Sequence, residues 1–267
     1  MPRSEPSQVN LRRDARCDGV VVYLTIDNPR RLNAMNSALM REFLSCTAEI
    51  AKDDRVRAVV LGGAGPKAFI VGADINEMAA IKTAAQARTF ITRLHRCCAA
   101  IRDLPVPVIA RIHGYCFGAG LEIAAACDVR IAAKTATFGM QEVKLGIPSV
   151  IEAALLPTLV GFGRAREIVL LGETFGAAQA HAWGLVEHVA PAKGLDVAVE
   201  DWIGKLLSSK PHAVRLQKRL IRRWEELPLG AAVAAGIETF AEAYRTDEPG
   251  KAMREFVATR RRRKRSR

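Results

Sequence analysis

Short apolar runs set apart by amphipathic stretches dominate the pattern along the chain. Gly19 to Ile26 (GVVVYLTI), Val56 to Leu61 (VRAVVL) and Pro105 to Ile112 (PVPVIARI) are rich in β-branched residues and predict β-strands. The prolines of the third run stand at its start, where a strand tolerates them. Asp128 to Ala132 (DVRIA) and LVEHVA over 185–190 predict two more strands. Between these runs the period changes. Leu39, Met40, Phe43, Leu44 and Ile50 recur at helical spacing behind Ser37, which is read as an N-cap. Helical patterns also cover Thr83–Arg102, Ala119–Ala126, Ala153–Val160 and Arg164–Leu171, and everything from Leu195 onward. Strands alternating with helices predict an α/β fold with a parallel sheet built from βα units. No sequence period repeats. The pattern divides the chain into a core over 1–195, with about ten flexible residues at its start, a helical region over 196–259 and a basic tail over 260–267.

Charge changes this picture at one end only. The chain has 267 residues and a net charge of +12, but RRRRKRSR at 260–267 carries seven of the positive charges and leaves +5 on the rest. Such a terminal run is ordinarily a solvated, disordered end, and the alternative is an arm for a polyanion such as RNA. The remaining +5 suits an anionic small molecule. No apolar stretch is long enough to cross a membrane as a helix, and the first residues lack the apolar segment of a secretory signal. Six cysteines without a CxxC pair read as reduced thiols of a cytoplasmic protein. Five histidines without HxxxH or HxxH spacing call for no metal.

Three segments carry candidate chemistry. In Gly118-Ala119-Gly120-Leu121-Glu122 a predicted strand turns into a predicted helix. The first N–H groups of a helix have no partner inside it and the dipole there favours negative charge. Glu122, three residues after Ala119, faces the same side as that N–H. The plain alternative is a tight turn with an exposed glutamate. Val71-Gly72-Ala73-Asp74-Ile75 is a Gly-containing break after an apolar run, where N–H groups are left unpaired, or else an ordinary loop. Glu142 lies among apolar residues in FGMQEVKLGIP, where a carboxyl tends toward a raised pKa suited to proton transfer; the alternative is a surface glutamate paired with Lys144 or Arg130.

Taken together, in this order and spacing, these segments resemble the crotonase superfamily, the enoyl-CoA hydratase/isomerase fold, over about Val9 to Ala258. Asn28-Pro29-Arg30-Arg31-Leu32-Asn33-Ala34-Met35-Asn36 resembles the family's first CoA-contacting loop, Ala68 to Met78 its second and His113 to Glu122 its third. The resemblance implies a crotonase-type spiral of ββα units with a C-terminal helical trimerisation layer, hence a homotrimer or a dimer of trimers. It implies an acyl-CoA thioester as substrate, with coenzyme A part of that substrate and no separate cofactor. Arg31, Leu32, Ala34, Val71, Asp74, Ile75 and Gly118 would contact it. The backbone N–H groups of Ala73 and Ala119 would form an oxyanion hole, in which one donor typically contributes ~2.7–4 kcal/mol. Ala119 stands where glycine is frequent, which leaves the hole intact provided its φ is negative. Glu122 and Glu142 match the two glutamates of the hydratase branch, Glu122 activating or orienting water and Glu142 donating the proton. The implied reaction is reversible addition of water to a trans-2-enoyl-CoA. An isomerase or another enolate-forming acyl-CoA enzyme is the alternative, and a nucleic-acid-binding body with a basic arm a more distant one.

The chain departs from the family pattern at two places. Asn76 stands where many relatives have lysine. Gly146-Ile147-Pro148-Ser149-Val150-Ile151-Glu152 replaces a Gly-rich run, one residue shorter and bulkier. Glu152 in it is a third acid or a solvated helix residue, and the latter is the expectation. Phe240, Tyr244 and Phe256 would pack on a neighbour, on CoA or in the chain's own core. Trp183, Trp202 and Trp224 read as packing residues.

Overall fold

The computed structural model describes residues 7–265, with side chains described up to Arg260. The chain divides into two compact units, one ending at Ile203 and the other starting at Gly204. The first holds β1 (Gln8–Arg16), β2 (Gly19–Asp27), α1 (Ser37–Ala51), β3 (Val56–Gly63), β4 (Ala68–Ile70), α2 (Ile75–Ala79), α3 (Ala84–Asp103), β5 (Val108–Ile112), β6 (Tyr115–Phe117), α4 (Ala119–Ala126), β7 (Val129–Ala133), β8 (Thr137–Gly139), α5 (Leu156–Leu171), β9 (Thr174–Gly176), α6 (Ala177–Ala182) and β10 (His188–Ala190). Helix α7 (Leu195–Ser208) crosses the division, and α8 (Pro211–Trp224), α9 (Leu229–Ala243) and α10 (Glu248–Arg265) belong to the second unit.

The strands form two sheets. One has the order β1-β2-β3-β5-β7-β10 and the other β4-β6-β8-β9. Each of the pairs β3/β4, β5/β6 and β7/β8 sends its first strand to the large sheet and its second to the small one. Three successive ββ units therefore stack in parallel through both sheets. Only the edges differ, with β1 antiparallel to β2 and β9 antiparallel to β8.

The β-branched runs are the interior of the large sheet. Val21, Val22, Leu24 and Ile26 of β2 and Val56, Ala58, Val59 and Leu61 of β3 are buried almost completely, as expected of strands covered on both faces. Helices α1, α3 and α4 close the core with Leu39, Met40 and Phe43, with Leu94, Cys97, Cys98 and Ile101, and with Leu121, Ile123 and Ala124.

Four details correct the sequence reading. The strand β1 occupies part of the stretch expected to be flexible, because Val9 turns into the core while its neighbours stay polar; residues 1–6 lie outside the described residues. Helix α1 is capped by Asn36 rather than Ser37: Asn36 has extended backbone, and its side chain accepts from the Leu39 N–H at 2.8 Å. The basic run continues α10 as helix to Arg265 instead of forming a disordered end; residues 266–267 lie outside the described residues. Phe240, Tyr244 and Phe256, at 66%, 51% and 68% exposure, are not part of the chain's own core.

Candidate active site

The site starts where β4 ends. Past Ile70 the chain runs beside the 28–36 loop. Val71 N–H donates to Leu32 C=O (3.2 Å), Met35 N–H to Gly72 C=O (2.8 Å) and Asp74 N–H to Met35 C=O (3.0 Å). Asn33, fully buried at φ 61°, ties the same two segments. Its amide donates to Ala64 C=O and Ala68 C=O at 2.9 and 2.8 Å and accepts from the Asn28 N–H. Asp74 then caps α2, accepting from Asn76 and Glu77 N–H, and takes an ion pair from Arg31 at 2.8 Å. Burial works to raise the Asp74 carboxyl, but the Glu77 and Asn76 donors and Arg31 outweigh it and hold it below the ordinary range. In this ladder the N–H groups of Gly72 and Ala73 find no acceptor within the described residues.

A further free N–H comes from α4. Gly118 precedes that helix at φ 51°, ψ −123°, a backbone state open essentially to glycine. Ala119 is the first helical residue and has no intrahelical acceptor for its N–H. Its φ does not lie in the positive region, so alanine is tolerated there. The donors of Ala73 and Ala119 share one cleft: a β-carbon built on Gly72, the residue before Ala73, would lie 3.8 Å from Ala119 N. Helix α4 reaches this place because it lies directly on β4. A β-carbon at Gly120 would stand 2.0 Å from the Ile70 oxygen, so only glycine permits the approach.

The carboxyls stand opposite. Glu122, one turn into α4, is 4% exposed, and its Oε1 accepts from the Ala153 N–H at 3.1 Å. Burial pushes its carboxyl up to about 8, assisted by the nearby charges of Glu142 and Glu152 and opposed by the Ala153 donor. Glu122 is therefore mostly protonated at neutral pH. Glu142, in a 3-10 turn over Glu142–Leu145, is half-buried and accepts from the Ser149 hydroxyl at 2.9 Å. Neither surface pairing considered for it forms, since Lys144 bonds Glu173 and Arg130 bonds Glu187.

These groups line one cavity of about 500 Å³. Val71, Ala73, Ile75, Gly118, Ala119, Glu122 and Glu142 are on its wall, with Phe90, Ile91 and Leu94 of α3 and Ile147, Pro148 and Val150 supplying an apolar lining. The other sequence-derived positions lie apart from it. Arg31 and Asp74 pair at the loop, Ala34 is buried, and Leu32 faces a neighbouring cavity of about 800 Å³ beside Lys67, Arg111 and His113. Sequence reasoning did not single out the roles of Asn33, Ser149 and Ala153, whose contacts hold the site together. It misplaced Glu152, which is buried rather than solvated. Two N–H donors converging beside one neutral and one accessible carboxyl can stabilise an oxyanion and move a proton at a neighbouring carbon.

Comparison with known proteins places nearly the whole chain beside enoyl-CoA hydratases. A family model described as enoyl-CoA hydratase/isomerase matches residues 16–264. The short-chain-enoyl-CoA hydratase of Clostridium acetobutylicum is 36% identical over 91% of this chain and 93% of its own length. The crotonyl-CoA hydratase of Syntrophomonas wolfei is 32% identical over 90% and 92%. Among solved structures, an enoyl-CoA hydratase from Mycobacterium smegmatis superposes with a TM-score of 0.90 at 31% identity, covering 96% of this chain and 97% of that one.

Proposed function

The chain belongs to the enoyl-CoA hydratase/isomerase family, and on that premise we propose that it adds water reversibly across the double bond of a trans-2-enoyl-CoA to give a 3-hydroxyacyl-CoA. The observation that carries this reading is the placement of Glu122 and Glu142 on the wall of one cavity with the free N–H groups of Ala73 and Ala119. The thioester oxygen sits between the two donors, which hold the negative charge it gains as the β-carbon is attacked.

Burial assigns the two carboxyls different work. A protonated Glu122 keeps one oxygen on the Ala153 N–H and uses the other side of the carboxyl to hold the water. Glu142 takes a proton from that water as its oxygen bonds C3, and returns a proton to C2. One water supplies both the hydroxyl and the hydrogen, so no external base, oxidant or metal enters the balance. Coenzyme A comes and goes as part of the substrate. It lies along the 28–36 and 71–75 segments, where Arg31, Leu32 and Ile75 are accessible and Ala34 and Asp74 are buried behind them. The +5 charge outside the terminal basic run suits its phosphates.

Self-association belongs to the same reading. Leu229, Val233, Ile237 and Phe240 form an exposed apolar row along α9, continued by Tyr244 at its C-terminal cap, the kind of surface that marks an interaction site. That row supports a homotrimer, alone or paired into a hexamer. No helix among the described residues is long and apolar enough to cross a membrane, and all six cysteines are free, which suits the cytoplasm.

The reading is tested by following the conjugated thioester absorbance of short and medium trans-2-enoyl-CoA with the full chain. Rapid loss, with a 3-hydroxyacyl-CoA as product, is expected. A chain that leaves these substrates intact but moves the double bond of a 3-enoyl-CoA is an isomerase instead.

A further inference from the structure

Glu152 is 3% exposed, and its Oε1 meets His95 Nδ1 at 2.9 Å while its Oε2 is buried without a hydrogen-bond partner. A buried carboxyl with an unmet oxygen is expensive to keep. Its position gives it a use. Glu152 lies in the 3-10 turn Ile151–Leu155, and the next residue, Ala153, gives its N–H to Glu122. That turn is strained where it starts: Ile151, a β-branched residue, has φ +36°. A strained turn persists only if its surroundings fix it, and the link to His95 ties it to α3, the helix whose Phe90, Ile91 and Leu94 face the acyl cavity.

We propose that Glu152 is a positioning residue for Glu122. Clasped by His95, it fixes the turn that presents the Ala153 N–H, so that one carboxyl oxygen of Glu122 is held and the other is aimed into the cavity. This rests on the hydration reading for its effect on turnover, though not for its effect on Glu122 itself. The groups facing Glu122 are Glu142 from its own turn, Glu152 from the 151–155 turn, and Cys98 from α3 with His95 behind Glu152, while Arg88 of α3 stands on the wall of the same cavity. Strands β4 and β6, also packed on α4, bring no charged side chain, only Tyr115 and Cys116. Glu152 is thus a like charge beside Glu122, and its removal eases ionisation of Glu122.

The test uses Glu152→Gln, His95→Ala and His95→Asn in the full chain. His95 has half of its side chain in solvent, so its variants fold even where a change at Glu152 does not. His95→Ala is expected to lower kcat roughly tenfold with KM within about twofold, since a small shift of an aligned group is felt in the chemical step. His95→Asn, which keeps a donor for Oε1, regains most of that loss. Glu152→Gln moves the alkaline limb of the kcat profile to lower pH. The same displacement is read without activity in the pH dependence of folding stability. Should the wild type fail to hydrate, that second measurement still decides the proposal. Unchanged kcat and pH profiles in all three variants overturn it. So does a fall in thermal stability with the titration of Glu122 unmoved.

Discussion

Gly118→Ala perturbs the site at the point where its parts converge. The native residue combines φ 51° with ψ −123°, and a side chain there strains the backbone by about 1–3 kcal/mol. Space is a second obstacle. The new β-carbon would stand 2.6 Å from Glu142 Oε1 and 3.9 Å from the Gly72 α-carbon. An ordinary carbon–oxygen contact is ~3.3–3.6 Å, so Glu142 must retreat by roughly 0.7–1 Å or α4 must shift with Ala119. A displacement of about 1 Å at an aligned group lowers turnover roughly 100-fold, and a lost oxyanion donor lowers it about 100- to 1,000-fold. The two relaxations differ in route and agree in size. Gly118→Ala should therefore lose at least about two decades of kcat in the hydration assay. Denaturant unfolding should show a loss of about 1–3 kcal/mol, well short of what unfolds a chain of this size. A variant that folds and retains kcat within about threefold of wild type refutes the placement of the donor and of Glu142 together.

The raised carboxyl of Glu122 ties folding to pH. Its folded value of about 8 lies above the ordinary 4.5, so the native state holds the proton more tightly. The stability this gives is complete below about pH 4.5 and declines at about 1.4 kcal/mol per pH unit up to about 8. Glu122→Gln removes that decline, and unfolding curves of variant and wild type should diverge as pH rises through this window; parallel curves contradict the burial argument. Asn33→Ala strips the acceptors of Ala64 and Ala68 of a buried donor and should cost about 2–3 kcal/mol in chemical denaturation, with a rise in KM as the 28–36 loop loosens. Phe240→Asp, in the exposed row of α9, should shift the sedimentation coefficient toward a single chain while the isolated fold persists; an unmoved assembly removes that row from the interface.

The sequence made the interior of the large sheet plain, because β2, β3 and β5 are rich in β-branched residues and mostly buried. The small sheet escaped it. β4, β6, β8 and β9 are three residues each, too short to show a period, and TFG and YCF carry no strand signature apart from their partners. β1 escaped because an edge strand with charges on its open face alternates only weakly. At the site, local spacing offered Ala119 and Glu122 as a donor and a carboxyl one helical turn apart, but an exposed glutamate on a tight turn fitted that spacing as well, and only the resemblance gave the pair a role. Ser149 is seven residues from Glu142, and His95 is 57 from Glu152. Nothing local in the chain marks the second pair, because only the packing of α3 on the 151–155 turn brings it together.

The central claim is that Glu122 and Glu142 act on one water beside a two-donor oxyanion hole. Its most direct test measures Glu122→Gln and Glu142→Gln side by side, for hydration of a trans-2-enoyl-CoA and for isomerisation of a 3-enoyl-CoA. The account gives a loss of at least about two decades in hydration for each variant, with substrate binding retained. Hydration that survives Glu122→Gln while Glu142→Gln abolishes all turnover would contradict it and leave a single-acid isomerase on this fold.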